Sequence, residues 1–507
     1  MIGTTAVVAV VSLGIVGRCH PAGQVRRPLW SARHFGGAAI NRQLINPSTG
    51  AVITDVADAT VAQVDAAITT AATAGHEWGA ALPSVRANLL LRLAALVERD
   101  ADELSLLEVE ETGKPWAVMR EGELPFALDN LRFFAGSARS VVGSAAGVFS
   151  TGYTSMLVRR PAGVVAAITP WNFPLIMAIW KIGAALAAGC TVVLKPAPAT
   201  PRSSLRLAEL AHEAGFPDGV FTVVTGDAEV GEAMVTHPLT DMITVTGSTA
   251  TGRRIMALAS DRPKRVHLEL GGKAPMIVFA DADLQAVGQA AALAASYNSG
   301  QDCTAATRVY VERRAHDALV ESLAETMRSI SLGAPDEGAD IGPLISAAHR
   351  DRVHGFVDRA VGEGARVVAG GMAFERAGWF YRPTLLTDVA QRSDVVQREV
   401  FGPLLAVIPF DNEADAVALA NDSAYALASS VWTPTIDRAL RVSHQIRAGV
   451  TWVNDHLPIA SEMPHGGRGA SGFGKDMGHD AVADFTVAHH IMMKHAEPVA
   501  RDGFRPA

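Results

Sequence analysis

The fold is decided by residues 163–194, which read GVVAAITPWNFPLIMAIWKIGAALAAGCTVVL. The first six residues of this stretch form a short apolar run that ends in Thr-Pro, a pattern that indicates a buried strand. A helix-like stretch then continues to Gly189, and residues 191–194 form the next apolar run. Short apolar strands that alternate with helices predict a parallel sheet that is covered on both faces.

The same alternation continues along the chain. The next predicted helix has Thr200 as its N-cap, Pro201 at its first position and Gly215 just beyond its end. Four more short apolar runs follow at 220–224, 242–245, 266–268 and 276–279. A second series of strands and helices begins after Asp281, which places the boundary between the two series near residues 271–272.

Segments outside the two series also have recognisable patterns. Apolar positions spaced as on one face of a helix predict a helix over about 60–74, and a second helix-like stretch covers 86–107. Residues 153–160 and 485–493 have the pattern of strands. We expect these two strands to extend a sheet away from the main body.

Length and composition limit the class of protein. A chain of 507 residues exceeds one hydrophobic core, so two or three domains are expected. The net charge of −8 gives no electrostatic reason to bind nucleic acid or an anionic membrane. The three cysteines, Cys19, Cys190 and Cys303, are far apart and indicate a reducing compartment, so we expect a cytoplasmic protein. Residues 6–16 are apolar, but no Lys or Arg precedes them and they are too few to span a bilayer.

Cys303 is the strongest candidate for a reactive residue. A lone cysteine is usually a small core residue, but Cys303 lies in the polar, glycine-containing run NSGQDCT at 298–304. Glu269 precedes Leu-Gly-Gly-Lys, and Asn172 lies within Pro-Trp-Asn-Phe-Pro. The three residues supply a nucleophile, a base and an oxyanion donor, a set that suits acyl chemistry through a thioester.

Two further features indicate a cofactor site. Residues 245–252, VTGSTATG, follow a predicted strand and open a helix, where glycines allow a phosphate to approach the free N–H groups. The pattern is not Gly-x-Gly-x-x-Gly, and an ordinary strand-to-helix turn has the same form. Lys195 ends another predicted strand, at the edge where such sheets bind dinucleotides, although most lysines lie on the solvated surface.

Five motifs occur in one order: PWNFP, TGS, ELGGK, GQDC and EVFGP. On these motifs, residues 40–497 resemble the NAD(P)-dependent aldehyde dehydrogenase superfamily. The resemblance implies an α/β fold with two doubly wound parallel-sheet domains and a small β oligomerisation arm that builds a homodimer or homotetramer. It implies an N-terminal extension at 1–38, an NAD(P)-binding domain at 39–145 and 162–270, a catalytic domain at 271–484, and bridging strands at 146–161 and 485–499.

The resemblance also implies roles for individual residues. Cys303 would be the nucleophile, Glu269 the general base, and Asn172 an oxyanion donor together with the backbone N–H of Cys303; no metal is expected. Asp476 stands where the family often has a glutamate in a proton path. Because relatives that transfer the acyl group to coenzyme A commonly lack the glutamate at 269, hydrolysis is expected. The implied cofactor residues are Lys195, Gly247, Ser248, Gly252 and Trp171, with Glu399 on the nicotinamide ribose and Phe401 near the ring.

NAD is the expected cofactor, and NADP stays open. Relatives that prefer NAD often carry a glutamate three residues after the lysine, where it binds the adenosine ribose hydroxyls. Here Pro198 occupies that position. Proline can neither accept hydrogen bonds from those hydroxyls nor repel a 2′-phosphate.

Several phrases of the sequence resemble the bacterial gamma-aminobutyraldehyde dehydrogenases, which oxidise 4-aminobutanal from putrescine. Such a substrate needs a tunnel that favours a cation at one end, and aromatic faces attract ammonium groups. The tunnel candidates are Trp180, Tyr297, Phe173, Trp452 and Glu123, with Asp302 and Glu462 as further acids. Succinate semialdehyde would need a cation at the tunnel mouth, and residues 455–463 contain neither Arg nor Lys. Betaine aldehyde differs only by methylation of the amine, and a non-catalytic binding protein on the same scaffold is the alternative of another class.

Overall fold

The computed structural model describes residues 41–141, 143 and 146–495, so the predicted N-terminal extension lies outside the described residues. A π-helical segment, Val118–Glu123, leads directly into the fourth helix. The strands are β1 Asn41–Ile45, β2 Val52–Ala57, β3 Gly147–Ser150, β4 Tyr153–Pro161, β5 Val164–Ile168, β6 Thr191–Lys195, β7 Phe221–Val223, β8 Met242–Thr246, β9 Arg265–Glu269, β10 Ala274–Val278, β11 Ala306–Glu312, β12 Arg366–Ala369, β13 Thr384–Thr387, β14 Leu404–Phe410, β15 Ala428–Trp432, β16 Val450–Val453, β17 Gly472–Phe473 and β18 Thr486–Lys494. The helices are α1 Val61–Ala80, α2 Pro83–Arg99, α3 Ala101–Thr112, α4 Leu124–Ala138, α5 Pro174–Ala188, α6 Arg202–Ala214, α7 Ala228–Thr236, α8 Thr249–Ala259, α9 Leu284–Ser296, α10 His316–Ser329, α11 Ala347–Gly362, α12 Asp394–Gln397, α13 Glu413–Asn421, α14 Ile436–Gln445 and α15 Gly478–Asp484.

The first large sheet has six strands in the order β17-β9-β8-β5-β6-β7. The five strands from β9 to β7 are parallel, and only β17 is antiparallel to its neighbour. From β5 the chain moves outward through β6 and β7, and then returns to the other side of β5 to form β8 and β9. This reversal opens a crevice at the carboxyl ends of β5 and β8, the position where doubly wound sheets bind ligands.

Helix α5 explains why residues 163–194 dominate the fold. All 15 of its residues are buried, as expected for a helix that is apolar around its circumference. Pro174 starts the helix and Gly189 ends it in a left-handed conformation. The strands on either side pair in parallel, so the predicted strand–helix–strand unit is confirmed. Among the described residues, no single helix is long and apolar enough to cross a membrane. Helices α1 and α2, which are bent by 117° at the break between them, reach the required length and apolar composition only as a pair.

The second large sheet has seven strands in the order β12-β13-β14-β11-β10-β15-β16, and only β12 is antiparallel. The predicted second series of strands and helices is therefore confirmed. A third sheet joins β18, β4 and β3, with β18 and β4 antiparallel over nine residue pairs. The two segments predicted to extend a sheet away from the body, 153–160 and 485–493, thus pair with each other. The α/β fold with two mostly parallel sheets and a small β arm is confirmed.

Two predicted helices differ from those observed. The stretch 86–107 lies in two helices, α2 and α3, which meet at Asp100. The Asp100 carboxylate binds Arg99 and Arg206 and does not cap α3. The apolar spacing continues across this break, so periodicity alone did not reveal it. Helix α6 begins one residue later than predicted, with Pro201 rather than Thr200 at the cap position.

Candidate active site

The residues predicted for cofactor binding and catalysis follow the carboxyl ends of neighbouring strands. Trp171 and Asn172 come after β5, Lys195 ends β6, Ser248 follows β8, and Glu269 ends β9. Because parallel strands present their carboxyl ends at one edge, the sheet gathers these side chains along the crevice beside β5 and β8.

Cys303 lies in the loop between α9 and β11, and this loop has a strained start. Asn298 and Ser299 have φ angles of 49° and 59°, in the left-handed region that residues with side chains rarely adopt. Asn298 donates from Nδ2 to the carbonyl oxygen of Asn172 at 2.9 Å, and Ser299 donates from Oγ to the carbonyl oxygen of Gly342 at 2.7 Å. Backbone strain held by surrounding contacts is characteristic of functional loops.

Asn172 and the Cys303 loop are in direct contact. The Asn172 amide donates from Nδ2 to the carbonyl oxygen of Gln301 at 2.9 Å, which leaves its second N–H group for another acceptor. Behind the loop, a Cβ on Gly272 would lie 1.9 Å from the carbonyl oxygen of Cys303, so only glycine fits there. The amide is therefore held beside the loop that carries the sulfur atom, as an oxyanion donor must be.

Carboxylates surround the half-buried thiol. Burial raises the pKa of Cys303 well above its ordinary value, and the charges of Asp302, Glu399 and Glu269 raise it further. Burial likewise raises the pKa of Glu269 well above the usual range, with a further contribution from Asp476. The pKa of Glu399 rises to about 7, again chiefly through burial. The resting thiol is therefore neutral, and Glu269 is suited to accept a proton.

The turn between β8 and α8 fits a phosphate group. Ser248 caps α8 by accepting a hydrogen bond from the backbone N–H of Thr251 at 3.1 Å. Gly252 packs the first turn of the helix against the sheet, where a Cβ would lie 2.6 Å from Leu270 Cδ1. A Cβ on Gly247 would meet its nearest atoms at 3.9 Å, on Thr251, which is ordinary van der Waals contact. A helix N-terminus is a suitable place for an anion.

Lys195 is buried, unlike most lysines. Its Nζ donates to the carbonyl oxygens of Gly226 at 2.9 Å and Pro196 at 3.2 Å, so one of its three N–H donors remains for a ligand. Burial lowers the pKa of Lys195 to about 8. Pro198, three residues on, is half-buried at the same strand end.

Glu399 and the aromatic pair Trp171 and Phe401 lie across the crevice. The backbone N–H of Gly272 donates to Glu399 Oε1 at 2.9 Å, which places this carboxylate next to the Cys303 loop. The rings of Trp171 and Phe401 meet edge to face with their centroids 5.3 Å apart, and the His349 ring contacts both. Phe401 has a left-handed φ of 61°. The structure thus brings together the predicted nicotinamide side of the site.

The predicted tunnel residues form two aromatic groups. Trp180 is buried against Phe126 and His465, with ring centroids 6.4 Å and 5.3 Å away. Within the described residues, its indole N–H has no hydrogen-bond partner. Phe173 and Tyr297 stack with their centroids 6.2 Å apart. Phe173 adjoins Asn172 in the chain, and Tyr297 immediately precedes Asn298 at the start of the Cys303 loop.

Trp452 and the predicted acids differ in their surroundings. Trp452 contacts His456 and donates from Nε1 to the carbonyl oxygen of Pro458, outside both aromatic groups. Glu462 is exposed. Asp302 accepts hydrogen bonds from the N–H and hydroxyl groups of the neighbouring Thr304. Of these two acids, Asp302 is next to Cys303 in the chain, whereas Glu462 lies on the exposed surface.

Glu123, which the resemblance suggested as a tunnel acid, is paired with a buried lysine. The π segment turns it inward, and its carboxylate pairs with the buried Lys114 at 2.6 Å. Lys114 also binds Glu108 at 3.2 Å and the carbonyl oxygen of Asn172 at 3.1 Å. Burial raises the pKa of Glu123 to about 7. Burial also raises the pKa of Tyr297, and the charge of Glu123 raises it further. The acid therefore acts on the site from behind Asn172 and Tyr297.

The comparisons with known proteins identify the family of this chain. The aldehyde dehydrogenase family profile matches residues 37–491. The chain belongs to the aldehyde dehydrogenase family. It is 39% identical over 467 residues to a betaine aldehyde dehydrogenase of Cereibacter sphaeroides, covering 92% of this chain and 95% of the relative. It is 40% identical over 479 residues to a phenylacetaldehyde dehydrogenase of Pseudomonas fluorescens, covering 91% and 95%.

A solved structure of the family has the same fold. The crystal structure of betaine aldehyde dehydrogenase from Staphylococcus aureus in complex with NAD+ is 34% identical, with a TM-score of 0.90. The match covers 92% of this chain and 94% of the relative.

Sequence reasoning about this aldehyde dehydrogenase missed two buried cations. Lys114 was overlooked because lysines are usually exposed, and its partners Glu108 and Glu123 have no recognisable spacing. Lys181 is fully buried and binds both oxygens of Asp476 at 2.8 Å and 3.0 Å. A lysine within a helix that is apolar on every face was the available signal for the second pair.

Replacing Asp302 with Asn should make Cys303 more reactive, because one negative charge beside the thiol disappears. Asn keeps the acceptor oxygen that binds Thr304, so the loop should retain its shape. The pH profile of inactivation by iodoacetamide should move to lower pH, since the pKa of the thiol falls. Glu462→Gln, a change at an exposed acid, is the control. An unchanged profile in Asp302→Asn would contradict the electrostatic assignment.

Proposed function

We propose that this protein oxidises an aldehyde to a carboxylic acid with NAD(P)+, through a thioester on Cys303, and that 4-aminobutanal is its substrate. One observation carries the chemistry. The loop of Cys303 contacts the amide-bearing Asn172 on one side and the Glu269-Leu-Gly-Gly segment on the other, at the ligand-binding edge of the first sheet.

The first half of the reaction forms a carbon–sulfur bond. Cys303 loses its proton to solvent at its exposed side, and the thiolate adds to the aldehyde carbon to give a thiohemiacetal. The charge that develops on the aldehyde oxygen is met by the free N–H of the Asn172 amide and the backbone N–H of Cys303. A bound NAD(P)+ would supply the hydride acceptor for this oxidation, which leaves the acyl group on Cys303 as a thioester.

The second half of the reaction breaks that bond. Glu269 takes a proton from a water molecule, and the resulting hydroxide attacks the thioester carbon. The tetrahedral species collapses with Cys303 leaving as the thiolate, and the carboxylic acid is released. The raised pKa of Glu269 suits this step, because a carboxylate whose pKa is raised binds the proton of a water molecule more strongly.

The described residues fit the cofactor. The α8 N-terminus and the turn at Gly247 would hold the pyrophosphate, and the unused N–H of Lys195 would reach the adenosine ribose. Glu399 would accept hydrogen bonds from the nicotinamide ribose, with Phe401 beside the ring. Relatives of this chain include the Staphylococcus aureus enzyme in complex with NAD+, which supports NAD(P)+ here. Pro198 leaves both forms acceptable.

A cationic substrate fits the charges around the aromatic groups. Two carboxylates, Glu108 and Glu123, oppose the single ammonium of Lys114. Since the pKa of Glu123 is about 7, this wall carries net negative charge in the fraction of molecules in which Glu123 is ionised. Asp302 adds a third carboxylate near the hydroxyl of Tyr297. The Trp180 face offers cation–π attraction of about 0.5–2 kcal/mol. A carboxylate-bearing substrate would find no unpaired cation among these residues.

Betaine aldehyde is the second candidate, because the same negative wall and aromatic faces suit a trimethylammonium group. A relative with that name matches 92% of the chain, which favours this alternative. Phenylacetaldehyde, the substrate in the name of another relative, carries no charge, so it would gain nothing from the wall.

The test is a comparison of kcat/KM for 4-aminobutanal, betaine aldehyde, succinate semialdehyde and propanal with each coenzyme. We expect 4-aminobutanal to exceed succinate semialdehyde by about tenfold or more, since a like charge beside buried carboxylates is costly. Propanal, which has no charge, is the control for the shared chemistry. A clear preference for succinate semialdehyde would refute the cationic site, and the absence of turnover with all four aldehydes would favour a binding protein.

The β arm supports an oligomeric enzyme. Its strands expose large apolar side chains, including Val148 and Phe149, which are 70% and 82% exposed, and Met492. A sheet with open edges and an apolar surface is suited to pair with another copy of the chain. The β arm therefore supports the predicted homodimer or homotetramer. A cytoplasmic location stays a prediction.

A further inference from the structure

His267 shares a strand face with the proposed base. It stands two residues before Glu269 on β9, so both side chains point to the same side of the sheet. His267 is 1% exposed, and its Nε2 lies 3.8 Å from Glu269 Oε1 and 3.7 Å from Asp476 Oδ1. The imidazole therefore stands between the base and the Asp476–Lys181 ion pair.

Two buried polar atoms face each other across this gap without other partners. Counting only the residues that the structure describes, neither His267 Nε2 nor Glu269 Oε1 has a hydrogen-bond partner. Unpaired buried polar atoms are costly and rare in folded proteins. A distance of 3.8 Å is not a hydrogen bond, but a small rotation of the Glu269 side chain would close it. Catalytic hydrogen bonds commonly tighten when a substrate binds.

The other ring nitrogen determines which atom faces the carboxylates. His267 Nδ1 lies 3.4 Å from the hydroxyl oxygen of Thr244 on β8, and that hydroxyl can donate to it. Burial lowers the pKa of His267 to about 3, so the ring is neutral. A neutral ring that accepts at Nδ1 carries its single hydrogen on Nε2, facing both carboxylates. The ring is fixed in place, since a Cβ on Gly474 would lie 2.4 Å from its Cδ2.

We propose that His267 is a positioning residue whose Nε2–H group donates to the Glu269 carboxylate and holds it ionised and aimed for water activation. This inference rests on the proposed function. The donated hydrogen bond opposes the effects of burial and of Asp476, both of which favour the protonated acid. The other titratable groups that interact with the pair are Lys181, Lys475, Asp476 and Cys303, and His465 and Asp484 interact with Asp476.

The test uses His267→Leu, which removes the donor, and His267→Gln, whose amide can donate from nearly the same place. The substrate is p-nitrophenyl acetate, which acylates a reactive cysteine without aldehyde or coenzyme. The burst of p-nitrophenolate counts acylated Cys303, and the steady state reports deacylation. We expect a full burst in both variants, with deacylation at pH 7 about 10- to 100-fold slower in His267→Leu and largely restored in His267→Gln.

The pH profile separates positioning from simple packing. Loss of the donor raises the pKa of Glu269, so the acid limb of the deacylation rate should move to higher pH in His267→Leu and return in His267→Gln. Thr244→Val removes the hydroxyl next to Nδ1 and should move the acid limb in the same direction. This variant provides the test if His267→Leu does not fold. An unmoved limb in whichever of these variants folds, or a His267→Gln protein as slow as His267→Leu, would overturn the role. A wild-type protein that neither turns over p-nitrophenyl acetate nor forms an acyl-enzyme on Cys303 would instead refute the proposed function, and this role with it.

Discussion

Replacing Cys303 with alanine should abolish aldehyde oxidation. No covalent adduct can form without the sulfur atom, so both the hydride-yielding thiohemiacetal and the thioester are lost. Removal of a covalent nucleophile typically lowers turnover by on the order of 10⁴-fold or more. Turnover is measured as the absorbance of reduced coenzyme with 4-aminobutanal, and coenzyme binding is measured separately by fluorescence. We expect coenzyme binding to persist, because the Cys303 side chain is not among the residues assigned to hold the coenzyme.

Cys190→Ala is the matched control for this variant. Cys190 is fully buried, and its thiol donates to the carbonyl oxygen of Phe485 at 3.2 Å. Burial raises the pKa of Cys190 to about 11, so it is unreactive at neutral pH. The control should keep its turnover and remain sensitive to iodoacetamide. Cys303→Ala protein that still oxidised aldehyde, or Cys190→Ala protein that did not, would show that the nucleophile was misassigned.

Residues at strand ends were predictable from the sequence. Short apolar runs ending in Thr-Pro, Thr-Gly or Lys-Pro mark where parallel strands stop, and such ends meet at one edge. Asn172, Ser248 and Lys195 could therefore be placed together before the structure was known. Glu269 and Cys303 were assigned by motif, and the sheet and its loop bring the two segments into contact.

The supporting contacts were not predictable, because they depend on residues far apart in the chain. The left-handed conformation of Ser299 is held by a hydrogen bond to the carbonyl oxygen of Gly342, 43 positions later in the chain. No local sequence pattern predicts this contact. Lys114 is buried only because Glu108 and Glu123 surround it, a tertiary effect that overrides its usual exposure. The break at Asp100 likewise depends on Arg206, more than 100 positions away.

Replacing Glu269 with glutamine should separate the two halves of the reaction. Glutamine has the same shape but cannot accept a proton, so water near the thioester is no longer activated. We expect one equivalent of reduced coenzyme per active site in a rapid burst, followed by a steady state on the order of 10²- to 10⁴-fold slower than in the wild type. The measurement is stopped-flow absorbance with enzyme in micromolar amounts, followed by mass spectrometry of the intact acyl-enzyme.

The burst should survive because Cys303 does not need Glu269 as the acceptor of its proton. Cys303 is half-buried and can lose its proton to solvent, whereas deacylation needs a base beside the thioester. Removing the Glu269 charge also lowers the pKa of the thiol, since that carboxylate is one of three that raise it. The burst rate should therefore begin to rise at a lower pH than in the wild type. If the burst disappeared together with turnover, Glu269 would be required for acylation, and the division of labour between the thiol and the carboxylate would be wrong.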